Sequence, residues 1–145
     1  MPGYRQPPKY LTGLVRLQGA MLSVAVLPIL MPTEWMVYLH TQLQLGDLPI
    51  APIVEYLTRS VSAVYAMHGV LLLFISFDLA KYRSLLGFLI LVHGLHGTLM
   101  LGIDLWAGMP WWWSAGEGPP IMAFAAILGV LYRRWPLESP QAAEH

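Results

Sequence analysis

Residues Arg83 to Asp104 read RSLLGFLILVHGLHGTLMLGID. The 20 residues between these two charged ends contain no Asp, Glu, Lys or Arg. At about 1.5 Å of rise per helical residue, such a run matches the roughly 30 Å hydrocarbon core of a bilayer. The stretch is therefore predicted to be a transmembrane helix.

The composition of the whole chain points the same way. Of its 145 residues, 57% are hydrophobic and 11% are charged, whereas soluble domains carry about 25% charged residues. So few charges cannot cover a globular surface, and most of the outer surface is expected to face lipid. The eight basic and eight acidic residues cancel, which argues against a nucleic-acid partner. Because cysteine is absent, disulfides, thiolate metal sites and thioether-linked haem are excluded.

Four apolar segments predict four transmembrane helices, at about residues 11–31, 52–77, 84–106 and 119–135. The first superficially resembles a signal peptide, but its long apolar run contains Arg16, so we interpret it as a retained membrane helix. Thr33 is expected to begin a short interfacial helix at about 33–43. The predicted fold class is all-α, a polytopic membrane protein whose four transmembrane helices form an up-down bundle. It is expected to be one domain over residues 1–135, followed by a disordered tail at 136–145.

The distribution of lysine and arginine predicts the orientation. Basic residues occur in the N-terminal tail, in the 77–84 loop and at the C-terminal end, whereas the loops around 32–51 and 107–118 have none. By the positive-inside rule, both termini and the middle loop are predicted to be cytoplasmic, in an inner membrane. On the opposite side, the tryptophans between 106 and 113 are expected to form an aromatic belt at the interface.

Three histidines, His68, His93 and His96, are predicted to lie near the membrane midplane. His93 and His96 stand about 60° apart on one helix face. One interpretation is a metal or b-type haem site, because haem takes neutral imidazoles from two helices. The other is that each histidine bonds a neighbouring helix, an interaction that averages about 0.6 kcal/mol. The second is favoured, so no cofactor and no metal ligand is assigned.

The other polar candidates are Glu55, Arg59 and Asp104. The i,i+4 spacing of Glu55 and Arg59 predicts an ion pair, which an arginine at this depth requires. We interpret the pair as setting the depth of its helix, with the lining of a substrate path as the alternative. One interpretation of Asp104 is a proton carrier. The favoured one is that it is solvated, because it stands where the third helix leaves the membrane. Phosphate loops, nucleophile elbows and paired catalytic carboxylates are absent from the sequence, which argues against an enzyme.

Thirteen residues between positions 65 and 100 form a recognisable sequence pattern. They are Tyr65, Ala66, Gly69, Val70, Leu71, Leu72, Asp78, Arg83, Ser84, Leu85, Phe88, His96 and Met100. This set resembles a family of small bacterial four-helix integral membrane proteins of unknown function, although Leu79 and Gly97 replace a proline and an alanine of that family. The resemblance implies a bacterial membrane protein, carries no activity, and separates His96 from the other two histidines. Asp78 and Arg83 are expected to pair across the turn.

The leading functional interpretation is a structural or accessory component of the lipid bilayer, either a small homo-oligomer or a subunit of a larger membrane complex. Two alternatives remain open. The first is a redox protein that binds haem or a metal through His96 with His68 or His93. The second is a small carrier of protons or solutes that uses the histidines together with Glu55 and Arg59.

Overall fold

The computed structural model describes residues 6–136, and no strand occurs in that range. Its helices are α1 Lys9–Ser23, α2 Val26–Leu30, α3 Thr33–Gln42, α4 Pro52–Ile75, α5 Arg83–Ala107, α6 Trp111–Gly116 and α7 Gly118–Arg134. Two predictions fall partly outside the described residues: Arg5 of the N-terminal tail, and the disordered tail from residue 137 onward.

Within residues 6–136, four helical stretches are long and apolar enough to cross a membrane: Lys9–Leu30, Pro52–Ile75, Arg83–Ala107 and Trp111–Arg134. They contain 22, 24, 25 and 24 residues, each sufficient for a hydrocarbon core of about 30 Å. The first and last stretches are each built from two consecutive helices, α1 with α2 and α6 with α7. The predicted fold class is confirmed: the described part of the chain is all-α, with four helical stretches long and apolar enough to span a membrane.

The chain divides into two compact units. One is Val15–Phe74, which holds most of α1, all of α2 and α3, and nearly all of α4. The other joins the residues up to Leu14 to the part from Ile75 onward, and contains α5, α6 and α7. Each unit therefore has one long unbroken span, α4 or α5.

The first span is broken because of Pro28. Proline has no N–H to donate to the carbonyl four residues earlier, here Val24, and its ring crowds that turn. Accordingly α1 ends at Ser23, and α2 begins at Val26 and is only five residues long. At Met31 the backbone becomes extended, with φ −69° and ψ 134°, so the carbonyls at the end of α2 have no following helical turn to bond them.

Within the same unit, α1 and α4 touch through their backbones at Gly19 and Gly69. A Cβ atom added at Gly69 would lie 2.5 Å from the Ser23 nitrogen and 2.6 Å from the Gly19 carbonyl oxygen. Side chains larger than hydrogen cannot occupy that space without moving a helix. Ser62 and Ala66 are buried on the same stripe of α4, so small residues line the face of this helix that carries Gly69.

In the other unit, α5 and α7 make a comparable contact at Gly97 and Gly118. A Cβ at Gly97 would lie 2.9 Å from the Gly118 carbonyl oxygen, and a Cβ at Gly118 would lie 2.7 Å from the Gly97 carbonyl oxygen. From there toward the start of α5, apolar side chains fill the space between the two helices. Leu86 and Leu89 of α5 are buried, as are Ala125 and Leu128 of α7.

The chain reverses sharply after α5. Gly108 has φ +70°, a left-handed conformation that favours glycine, and the Met109 nitrogen donates to the Asp104 carbonyl oxygen at 2.9 Å. The tryptophan-rich segment that follows is a short helix, α6, which packs against both α5 and α7. The segment predicted only as an aromatic belt therefore also takes part in helix packing.

Candidate functional site

The ion pair expected from the spacing of Glu55 and Arg59 is present at the start of α4. Arg59 Nη2 donates to Glu55 Oε1 at 2.7 Å, and Arg59 Nε donates to the same oxygen at 3.2 Å. Thr33 Oγ1, at the beginning of α3, also donates to Glu55 Oε1, at 3.0 Å. Glu55 therefore joins the first turn of α3 to α4.

Arg59 has a second set of partners that the sequence analysis missed. Its Nη2 donates to the Met31 carbonyl oxygen at 3.0 Å, and its Nη1 donates to the Ile29 carbonyl oxygen and, at 3.5 Å, to that of Pro28. These carbonyls lie at the broken end of the first span, where no further helical turn can supply a donor. The sequence did contain a signal for this contact, namely Pro28. A proline that interrupts an apolar span leaves backbone carbonyls without helical donors, and a nearby arginine can donate hydrogen bonds to them.

A small pocket of about 210 Å³ lies beside this pair, between α3, the loop before α4 and the first turns of α4. The lining is apolar apart from Glu55 and the hydroxyls of Thr33 and Thr58, and Thr58 Oγ1 already donates to the Val54 carbonyl oxygen. Ligand pockets usually measure about 300–1,000 Å³. This pocket is below that range, and its polar groups mainly serve contacts within the protein.

The histidines are distributed over the two units. His93 is buried in α5, and its Nδ1 donates to the Leu89 carbonyl oxygen of its own helix at 2.6 Å. His96 is half-buried three residues further along α5, and His68 is half-buried in α4 of the other unit. Each of the three makes at least one further interaction within the protein. Among residues 6–136, no three His, Asp or Glu side chains group closely enough to hold a metal ion.

Asp104 is buried, and the prediction that it is solvated is wrong. Its residue exposure is only 5%, and its Oδ2 atom has no hydrogen-bond partner in the described chain. The following helix, α6, packs against α5 and contains another buried polar residue, Ser114. Ser114 was not a candidate in the sequence, because a serine within a tryptophan-rich segment carries no signal of its own.

Arg83 does not pair with Asp78, which corrects the expectation of an ion pair across the turn. The Asp78 carboxylate instead accepts the backbone N–H of Lys81 at 3.0 Å. The Arg83 guanidinium lies 4.8 Å from the ring centre of Tyr132 and 4.6 Å from that of Trp135. Both aromatic residues come from the end of α7, about 50 positions away in the chain, so local spacing could not reveal the contact.

Comparison of the chain with protein-family models, with curated proteins and with solved structures finds no match. The resemblance over residues 65–100 therefore stays a prediction.

Proposed function

We propose that this chain is a structural or accessory component of a bacterial inner membrane, with both termini in the cytoplasm. It acts as a small homo-oligomer or as a subunit of a larger membrane complex. The observation that supports this most is the bonding of Arg59, whose three guanidinium nitrogens all donate to Glu55 or to carbonyls of residues 28–31. A charge inside a span is a functional candidate by default, and here its donors hold the helices together.

The bonding of His93 supports the same proposal. Its Nδ1 atom carries the proton that bonds Leu89, so the ring is oriented by its own helix. The glycine contact in each unit supports the proposal as well, because it brings two helix backbones together without intervening side chains. Polar and small residues within the spans thus serve helix contacts.

A surface for lipid or a partner is supplied by the exposed side of α5. Leu91, Leu95 and Leu99 are four residues apart, so they form one stripe, and each is more than half exposed. An apolar stripe of this kind faces acyl chains or another helix in a bilayer. An accessory subunit requires such a surface.

Proteoliposomes and absorption spectroscopy test this proposal against its two alternatives. Purified protein reconstituted with a trapped pH-sensitive dye is expected to give the same proton leak as protein-free vesicles, and its visible spectrum is expected to lack a Soret band. Proton flux that Glu55→Gln abolishes would replace the proposal with a carrier. A Soret band that His96→Ala abolishes would replace it with a haem protein.

The assembly itself is tested by mass. Light scattering of the protein extracted in a mild detergent is expected to give a protein mass that is a multiple of 16.2 kDa, or larger through a co-purifying subunit. Replacing Leu91, Leu95 and Leu99 together with alanine is expected to reduce that mass, while matched alanines at exposed Val61 and Val64 of α4 leave it unchanged. A monomeric mass in the unaltered protein would contradict the proposed assembly.

A further inference from the structure

Two buried oxygen atoms near the end of α5 have no hydrogen-bond partner among the described residues. One is Oδ2 of Asp104 and the other is Oγ of Ser114, and both residues are 5% exposed. An unsatisfied buried polar atom costs about 1–3 kcal/mol, and a buried charge costs more, so a native structure seldom leaves two such atoms together without a bound species.

Asp104 and Ser114 both stand close in the chain to the glycine contact between α5 and α7. Gly97 and Leu101 of α5 touch Gly118 of α7. Asp104 is three residues beyond Leu101, about one turn further along α5, and Ser114 lies in α6, four residues before Gly118. The two residues therefore belong to helices that pack against each other, because α6 contacts α5.

The electrostatics of this end of α5 favour a positive charge. The C-terminus of a helix carries the negative end of its dipole, and the last turn of α5 contains an aspartate and no basic residue. Asp104 forms no ion pair with any other residue of 6–136. A buried carboxylate beside a negative helix end therefore lacks the compensation that the membrane requires.

We propose that Asp104 and Ser114 form a binding site for a small monovalent cation, for which sodium is the probe. Carboxylate and hydroxyl oxygens are the ligands that hard cations prefer. One carboxylate balances one positive charge, and the described residues contain no group of three acidic or histidine side chains of the kind a higher charge would need. The site stands near the end of a span, where a hydrated ion can enter from the water. This inference is independent of the proposed function.

Thermal unfolding of the full-length protein in detergent tests the site. Sodium chloride is compared with choline chloride at equal ionic strength and fixed pH. When sodium is at about ten times its Kd, Tm is expected to rise by about 5 °C. Asp104→Asn keeps the side-chain shape and removes the charge, so this variant is expected to lose the sodium response and to be at least as stable as the unaltered protein in choline. Ser114→Ala is expected to weaken the response.

Asp47→Asn is the matched control, because Asp47 is an exposed aspartate of the loop before α4. It is expected to keep the full sodium response. Binding of radioactive sodium to the unaltered protein gives a second measurement that does not depend on the folding of any variant. Equal Tm in sodium and choline, a response that persists in Asp104→Asn, or a Tm that follows pH but not sodium would each overturn the proposal.

Discussion

Gly97→Ala tests the contact between α5 and α7 directly. The added methyl carbon would lie 2.9 Å from the Gly118 carbonyl oxygen and 3.0 Å from the Met122 nitrogen, both backbone atoms that cannot rotate away. It would also meet Met122 Cγ at 2.8 Å, which a flexible side chain can relieve. The two helices must therefore separate, and overpacking of this kind costs about 1–3 kcal/mol.

Alanine also favours a helix over glycine by about 1 kcal/mol, so a matched glycine of the same helix is needed as a control. Gly102 has no atom within 4 Å of an added Cβ, and Gly94 has only the Ala125 methyl, at 3.9 Å. Gly102→Ala is expected to be neutral or slightly stabilising. The difference between Gly97→Ala and Gly102→Ala then isolates the contact, because both variants gain the same helix propensity.

Thermal unfolding followed by tryptophan fluorescence measures the difference in detergent or bicelles. For a chain near 150 residues, 1 kcal/mol corresponds to about 4 °C in Tm. Gly97→Ala is therefore expected to melt about 4–12 °C below Gly102→Ala. Equal melting temperatures for the two variants would refute the reasoning, because they would show that the backbones of α5 and α7 are not in contact at Gly97.

Three further predictions concern the charged residues. Arg83→Leu is expected to destabilise the protein by about 1–3 kcal/mol through loss of two cation–π contacts, whereas Arg133→Leu, at an exposed arginine of α7, is expected to have little effect in the same unfolding assay. Arg59→Lys is expected to lower Tm, because one ammonium group cannot reach both the paired carboxylate and the carbonyls of the broken span. An unchanged Tm would show that the bonds from Arg59 to those carbonyls do not stabilise the protein. Since the chain has no cysteine, a single cysteine at Asp47 is expected to react with an impermeant maleimide from outside the cell, and one at Lys81 only after lysis; the reverse pattern would invert the proposed orientation.

The four spans could be predicted because each is a local property of the chain. A run of apolar residues long enough for the bilayer is visible in composition and length alone, and the chain has one such run for each spanning stretch. The pair of Glu55 and Arg59 was equally visible, because residues four apart on a helix are neighbours in every fold.

The interactions that hold the spans in place could not be predicted in the same way. Arg59 bonds carbonyls about 30 residues earlier in the chain, and Arg83 stacks on rings about 50 residues later. Contacts between residues so far apart in the chain leave no periodic pattern in the sequence from which they could be predicted. The partners are set by which helices pack together, so only the tertiary structure identifies them.

Asp104 shows most clearly the difference between what the sequence determines and what the tertiary structure determines. The sequence by itself determined that this residue ends an uncharged helix, because the apolar run stops there. Whether the carboxylate meets water or protein depends on where the next segment goes. Gly108 turns the chain back, α6 packs against α5, and Asp104 is buried in the folded protein. Burial is a property of surfaces brought together, so the tertiary structure alone decided it.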